Sequence, residues 1–223
     1  MPSKENFVFP SPLRSAFTTF VLSKTPKTMS EEYVDLFDSD DRPLSRSVPK
    51  RQAHQQGLWH RSAHVWIYDR TGNILMQKRA QTKDTFPGLW DISVAGHISA
   101  GETPTEGALR ELKEEIGLEV QPDQLELLTV IHMAYPYPRL GWFNREHCYV
   151  YLLESDADPN TFTLQREEVE AVRFFTPEEF SHLTLGERGV AVPHEDYYRQ
   201  ILDAIVKKKR TPLSNPGVNL AER

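Results

Sequence analysis

Apolar positions along the chain recur with two periods. SAHVWIYD, residues 62–69, alternates and is rich in aromatic and β-branched residues, which predicts a strand. Arg70-Thr-Gly-Asn73 has hairpin-turn composition, and ILMQKRA predicts the returning strand. Upstream, EYVDLFDSDDRPL reads as a short strand, a turn at 38–41 and the start of another strand. Downstream, LWDISVAG (89–96), LELLTVIHMAY (125–135), EHCYVYLLE (146–154) and VEAVRFFT (169–176) predict further strands. Three segments switch to a helical period: PTEGALRELKEEIG from Pro104, PEEFSHL from Pro177 and the long HEDYYRQILDAIVKK from His194. Strands and helices interleave, with hairpins among the strands. The expected class is α/β, a mixed sheet with helices packed on it.

The first helix carries its own end signals. Thr103-Pro104-Thr105-Glu106 has capping-box form, with Thr103 as N-cap and proline in the first turn, and Gly117 suits a left-handed C-terminal position. At 100° per residue Ala108, Leu109, Leu112 and Ile116 form the core stripe. Glu111, Glu114 and Glu115 fall on the adjoining face at i, i+3 and i+4, where like charges cost about 0.2–0.5 kcal/mol per pair. Gly107 lies on that face too, at a cost of about 1 kcal/mol against alanine, so its small size is expected to admit something close. The plainer alternative is a solvated acidic face, partly offset by Arg110 pairing with Glu114. Against it stands the preceding turn GHISAGE, which adds Glu102. A divalent cation would convert the repulsion into coordination, and hard cations prefer oxygen ligands.

Composition narrows the class. A net charge of −6 leaves no footprint for nucleic acid or an anionic membrane, and no apolar run reaches the roughly 18 residues of a membrane span. The single cysteine, Cys148, forbids an intramolecular disulfide and suits a reducing compartment. Residues 1–30 lack periodicity, with four basic residues against one acid. They read as a disordered extension of a cytoplasmic protein or, alternatively, as an organelle transit segment. The domain is expected over 31–207, followed by a solvated tail at 208–223 that begins in a run of basic residues.

Gly96, Glu102 and the run Arg110-Glu111-Leu112-x-Glu114-Glu115-x-Gly117-Leu118 match the Nudix box at every defined position across 23 residues. The resemblance extends over roughly Glu32 to Lys207 and implies the Nudix fold, a mixed β-sheet sandwiched between α-helices. It also implies Mg²⁺- or Mn²⁺-dependent cleavage of a small-molecule diphosphate. Glu111, Glu114, Glu115 and the Gly96 carbonyl would bind metal, with Arg110 and Glu102 orienting the carboxylates. One carboxylate would act as general base; Glu115, Glu111 and a loop glutamate all remain open.

KRQAHQQGLWHRSAHVW and QKRAQTKDTFPGLWDISVAGHISAGE further resemble the type I isopentenyl-diphosphate isomerase branch, which keeps a metal on histidines and glutamates. His54, His60 and His97 fall at its histidine ligands, the first two closer by one residue than in that branch. Glu146 falls at a ligand that also assists the chemistry. Lys50, Arg79 and Lys83 fall at diphosphate-binding positions. Plainer readings stand beside these: structural histidines, a solvated Lys83–Asp84 pair and a surface charge at Arg79. Two positions depart from the branch. Ala95 replaces the catalytic cysteine, and Asn144 replaces a second metal-binding glutamate. An intact box without the isomerase thiol points to hydrolysis of a prenyl diphosphate or a nucleoside diphosphate derivative. Isomerase-like activity and a non-catalytic Nudix-fold module are the alternatives. Phe86-Pro-Gly-Leu-Trp90 is expected to form a turn that seats an aromatic on the core. Tyr135-Pro-Tyr-Pro138 and Trp142-Phe143 are expected on a long connection lining the non-phosphate end of the substrate, against a nucleobase or a prenyl chain. A homodimer is compatible with the sequence.

Overall fold

The computed structural model describes residues 31–186 and 189–210. The expected extension at 1–30 and the last part of the expected tail, 211–223, lie outside them. An antiparallel pair opens the fold, β1 (Tyr33–Phe37) and β2 (Pro43–Pro49), followed by the short helix α1 (Lys50–Gln56). The main sheet contains β3 (His60–Tyr68), β4 (Ile74–Arg79), β5 (Trp90–Asp91), β6 (Val94–His97), β7 (Glu126–Tyr137), β8 (Trp142–Glu154) and β9 (Val169–Phe175). Its path is β5-β4-β3-β8-β7, with β6 paired to β3 and β9 to β4. β3 and β8 run parallel and the other pairs are antiparallel, so the sheet is mixed as expected.

Helices cover both faces. α2 (Pro104–Ile116) packs Ala108, Leu112 and Ile116 against Ala63, Val65 and Ile67 of β3 and Val94 of β6. On the opposite face α3 (Pro177–Ser181) contributes Phe180, and α4 (Glu195–Arg210) contributes Tyr197, Tyr198, Ile201 and Ile205, packed around Trp66 and Met76. Alternation along each strand therefore separates two surfaces. Even-numbered residues of β3 face α4 and odd-numbered ones face α2.

Several expectations are corrected. LWDISVAG is two short strands rather than one. β5 pairs with β4 and β6 with β3, because the β3–β4 hairpin opens beyond its one paired position, Tyr68 with Ile74. Ser93 spans the opening, accepting from the Ile67 N–H and donating to the Leu75 carbonyl. KRQAHQQ, given no element by its pattern, forms α1, which closes on Gly57 at φ +60°. Tyr135–Tyr137 and Trp142–Phe143 lie within β7 and β8 rather than on a long loop. The proline at 136 is tolerated because, among the described residues, β7 is an edge strand with no further ladder on its outer side. The basic run at 207–210 is the last turn of α4 rather than the start of the tail; Lys208 pairs with Glu126 and Lys209 with Glu154 at 2.9 Å.

Candidate active site

α2 forms where its signals placed it. Thr103 accepts from the Glu106 N–H, Glu106 reaches back to the Thr103 N–H at 2.8 Å, and Gly117 ends the helix at φ +71°. The three glutamates of the adjoining face are not equivalent. Glu115 is 4% exposed and Glu111 9%, whereas the Glu114 side chain is 52% exposed. Glu115 accepts from Gln77 Nε2 at 3.0 Å, and the charges of Lys83 and the loop residue Glu168, themselves ion-paired, act on it. Glu111 lies against Gly96: a Cβ there would overlap the Glu111 carboxyl group. Glycine at that strand position leaves the room in which the Glu111 carboxyl lies. The small size of Gly107 admits close neighbours, as expected: a Cβ there would press on Ile98 of the preceding turn and meet Glu102 Oε2 at 3.4 Å.

Electrostatics separates this face from a solvated one. Burial raises the carboxyl of Glu111 to about 7, opposed by Arg110, and that of Glu115 to about 8, with Glu111 adding to the shift. Arg110 organises the cluster. It contacts Glu102 at 2.8 and 3.0 Å, Glu111 at 2.8 Å and Glu114 at 3.0 Å, and donates to the His97 carbonyl at 2.8 Å. A divalent cation fits this donor set, because it would let two buried carboxylates ionise together.

A second cluster lies across β6. Gly96 faces α2, while Ala95 and His97 face the α4 side, where His60 of β3, Glu146 of β8 and His54 of α1 converge on His97. One ligand atom from each of His54, His60, His97 and Glu146 lies within 4.8 Å of the others. His54 Nε2 is 3.0 Å from His97 Nε2, and Glu146 Oε1 is 3.3 Å from His97 Nε2 and 3.6 Å from His60 Nε2. The Nδ1–H of His60 donates to the Leu58 carbonyl at 2.8 Å, so Nε2 points into the cluster, buried and without a hydrogen-bond partner. Burial holds His54 down to about 4, helped by the charges of His97 and His60, and burial also lowers His97. For Glu146 burial works upward, and the facing imidazoles of His60 and His97 more than offset it. Three converging imidazoles beside one carboxylate, with His60 Nε2 left unpaired, fit a borderline divalent ion.

The remaining expected residues are placed as follows. Lys50, in the first turn of α1, is ion-paired with Glu32, a residue the pattern did not single out. His97, Lys50 and Arg110 lower the Glu32 carboxyl against the burial that would raise it, and Glu32 in turn acts on Glu111, so it links the two clusters electrostatically. Arg79 is half-buried, bonded to Asp91 at 2.8 Å and to Thr85, rather than a free surface charge. Lys83 pairs with Glu168 rather than with Asp84. Asn144 is buried two residues before Glu146 on β8. Gln77 and Glu168 were also missed. A glutamine inside a strand, after three apolar residues, is a weak signal, and Glu168 is one acid in a loop of several.

The comparisons with known proteins bear on this geometry. The NUDIX domain family matches residues 58–196. An uncharacterized Nudix hydrolase of Clostridium acetobutylicum is 37% identical over 144 residues, covering 63% of this chain and 68% of that protein. Nudix hydrolase 3 of Arabidopsis thaliana is 36% identical over 182 residues, 79% of this chain, which spans only 24% of that longer protein. The crystal structure of DR0079 from Deinococcus radiodurans superposes with a TM-score of 0.56 at 22% identity, over 76% of this chain and 98% of that one, a likeness of fold.

Proposed function

The chain belongs to the NUDIX domain family, and we propose that it is a metal-dependent hydrolase cleaving the diphosphate linkage of a small molecule. One observation carries the reading. Glu111 and Glu115 are buried side by side with raised pKa values, an arrangement that costs free energy in the metal-free protein and favours a bound cation. Glu111, Glu115, Glu114 and the Gly96 carbonyl would hold Mg²⁺ or Mn²⁺. When bound, the ion supplies charge neutralisation at the phosphates and a more acidic water. Arg110 and Glu102 keep the carboxylates oriented. Water oxygen bonds to one phosphorus as the bridging P–O bond breaks, the water proton passes to Glu111, Glu115 or Glu168, and two phosphate-bearing products leave. Lys83 and Arg79 lie where they can exchange their present carboxylate partners for diphosphate oxygens. Lys50 would do the same at the mouth of the histidine cluster.

The histidine cluster favours the branch resembling isopentenyl-diphosphate isomerase, with His54, His60, His97 and Glu146 holding a second ion. Ala95 argues against isomerisation itself. A methyl group neither donates nor accepts a proton, and the buried Cys148 stands on β8, with β3 between it and β6. The test is incubation with isopentenyl diphosphate and Mg²⁺ in D₂O, followed by NMR, beside a panel of nucleoside-linked diphosphates. Phosphate or monophosphate release that needs the metal, without allylic isomer, is the expected result. Isomer or deuterium at carbon at a catalytic rate overturns the hydrolase reading in favour of the isomerase one. Absence of hydrolysis across the whole panel overturns it in favour of a non-catalytic module.

A further inference from the structure

Beneath the histidine cluster a string of buried polar groups runs into the core on the α4 side of the sheet. Trp66 Nε1 is 2.8 Å from the Tyr197 hydroxyl, which is 3.1 Å from His64 Nδ1. His64 Nε2 is 3.6 Å from Cys148 Sγ, Cys148 Sγ is 2.8 Å from Ser62 Oγ, and Ser62 Oγ is 3.0 Å from Glu146 Oε2. All six residues are buried.

Both ends of the string have fixed polarity. An indole N–H only donates and a carboxylate only accepts. Tyr197 accepts from Trp66, so its own proton goes to His64 Nδ1. His64 is then the Nε2–H tautomer and donates to Cys148. The thiol proton goes to Ser62 at 2.8 Å in preference to Glu146 Oε2 at 3.7 Å, and the Ser62 proton goes to Glu146 Oε2. This arrangement satisfies every donor at the shortest available distance. The string stops at Trp66 inside the core, so it is a brace rather than a path for protons to solvent.

We propose that Ser62 is a positioning residue: as the last member of this one-way chain it fixes Glu146 through Oε2, so that Oε1 is the oxygen presented to His60, His97 and the metal they hold. Oε1 does face both imidazoles, at 3.6 and 3.3 Å, while Oε2 is occupied by Ser62. The same chain ties the thiol proton of Cys148 to Ser62, which keeps this cysteine from standing in for the thiol absent at Ala95. The inference rests on the reading that the histidine cluster binds a metal.

The test is Co²⁺ titration of the full chain with excess Mg²⁺ present to hold the carboxylate site, read by affinity and by the visible absorption of the bound ion. Ser62→Ala is expected to weaken Co²⁺ binding about 10–100-fold and to change the absorption band, while the metal-free protein keeps its circular dichroism. Cys148→Ser, which retains a donor and an acceptor, is expected to stay within about threefold of wild type, and Cys148→Ala to lose more than Cys148→Ser. These two variants decide the matter if Ser62→Ala does not fold. Wild-type affinity and spectrum in Ser62→Ala, or equal affinity in the two Cys148 variants, overturns the brace and leaves the metal site standing. No Co²⁺ binding that His60→Ala abolishes overturns the metal reading and the brace together.

Discussion

The two clusters differ in how the chain makes them. The carboxylate face belongs to one helix and the strand before it, within 23 residues from Gly96 to Leu118. The histidine cluster is assembled from α1, β3, β6 and β8, elements adjacent only in the folded sheet. Their chemistry is opposite as well. On one side of β6, burial raises the carboxyls of Glu111 and Glu115; on the other it lowers His54, and His60 Nε2 is left without a hydrogen-bond partner in the cluster. Oxygen donors suit a hard ion and imidazoles a softer one, so on the proposed reading a single strand would separate two centres of different metal preference. Arg110 spans them, bonding three glutamates and the His97 carbonyl.

The largest effect expected is on catalysis. Glu115→Gln keeps the shape and the Gln77 contact in altered form but removes a buried ligand charge. Turnover should fall by about 10²-fold or more, with Co²⁺ binding at the histidine cluster retained. Steady-state phosphate release on the best substrate, beside a metal titration, checks both halves. Wild-type turnover would remove α2 from the catalytic centre, and loss of both properties would show that the two clusters are one site.

A smaller effect is expected from Gly96→Ala. The added methyl meets the end of the Glu111 side chain rather than backbone, so the carboxylate swings away at little cost to folding. Activity should drop about tenfold or more while the melting temperature moves by only a few degrees. The neighbouring His97 should still hold its ion. A collapse in stability with activity per folded molecule unchanged would mean that Gly96 is a packing residue alone.

The same contrast decides what was legible in sequence. The acidic helix announces itself locally: cap, proline, core stripe and C-terminal glycine all lie within one window, and each appears in the structure. What local pattern leaves out is burial. Glu111, Glu114 and Glu115 look alike on a helical wheel, and only β6 and Gln77 make two of them interior. The histidines carry no periodic signal, and resemblance to a family was needed to relate positions so far apart. The spacing of His54 to His60 departs by one residue from the branch, yet α1 carries His54 Nε2 to 3.0 Å from His97 Nε2. The split of 89–96 was hidden for the same reason: alternation predicts a strand but not which neighbour it joins, and here the partner changes between Asp91 and Val94. Ser62, His64 and Cys148 read as ordinary residues on alternating strands until the parallel register of β3 and β8 aligns them.

The smallest effect separates the clusters by pH in the metal-free protein. Glu111 and Glu115, raised to about 7 and about 8 from 4.5, bind protons more tightly folded than unfolded. Their contribution therefore falls as pH rises from about 4.5 to about 8. His54, lowered to about 4 from 6.5, binds protons more weakly folded than unfolded, so its contribution rises with pH over about 4 to 6.5. Below 6.5 the two oppose each other; above it the carboxylates act alone among these groups. Stability should decline between pH 6.5 and 8 by on the order of 1–3 kcal/mol, a shift of several degrees in melting temperature. Glu115→Gln should flatten that decline, whereas His54→Gln should leave it in place and alter only the acid side. Added Mg²⁺ should stabilise more at pH 8 than at 6.5, since the ionised carboxylates are the form that binds it. Thermal melts across this range, with chelator and with Mg²⁺, read all three. A decline that survives Glu115→Gln would mean that the buried carboxylates of α2 are not the groups titrating, and the opposition between the two sides of β6 would fail with it.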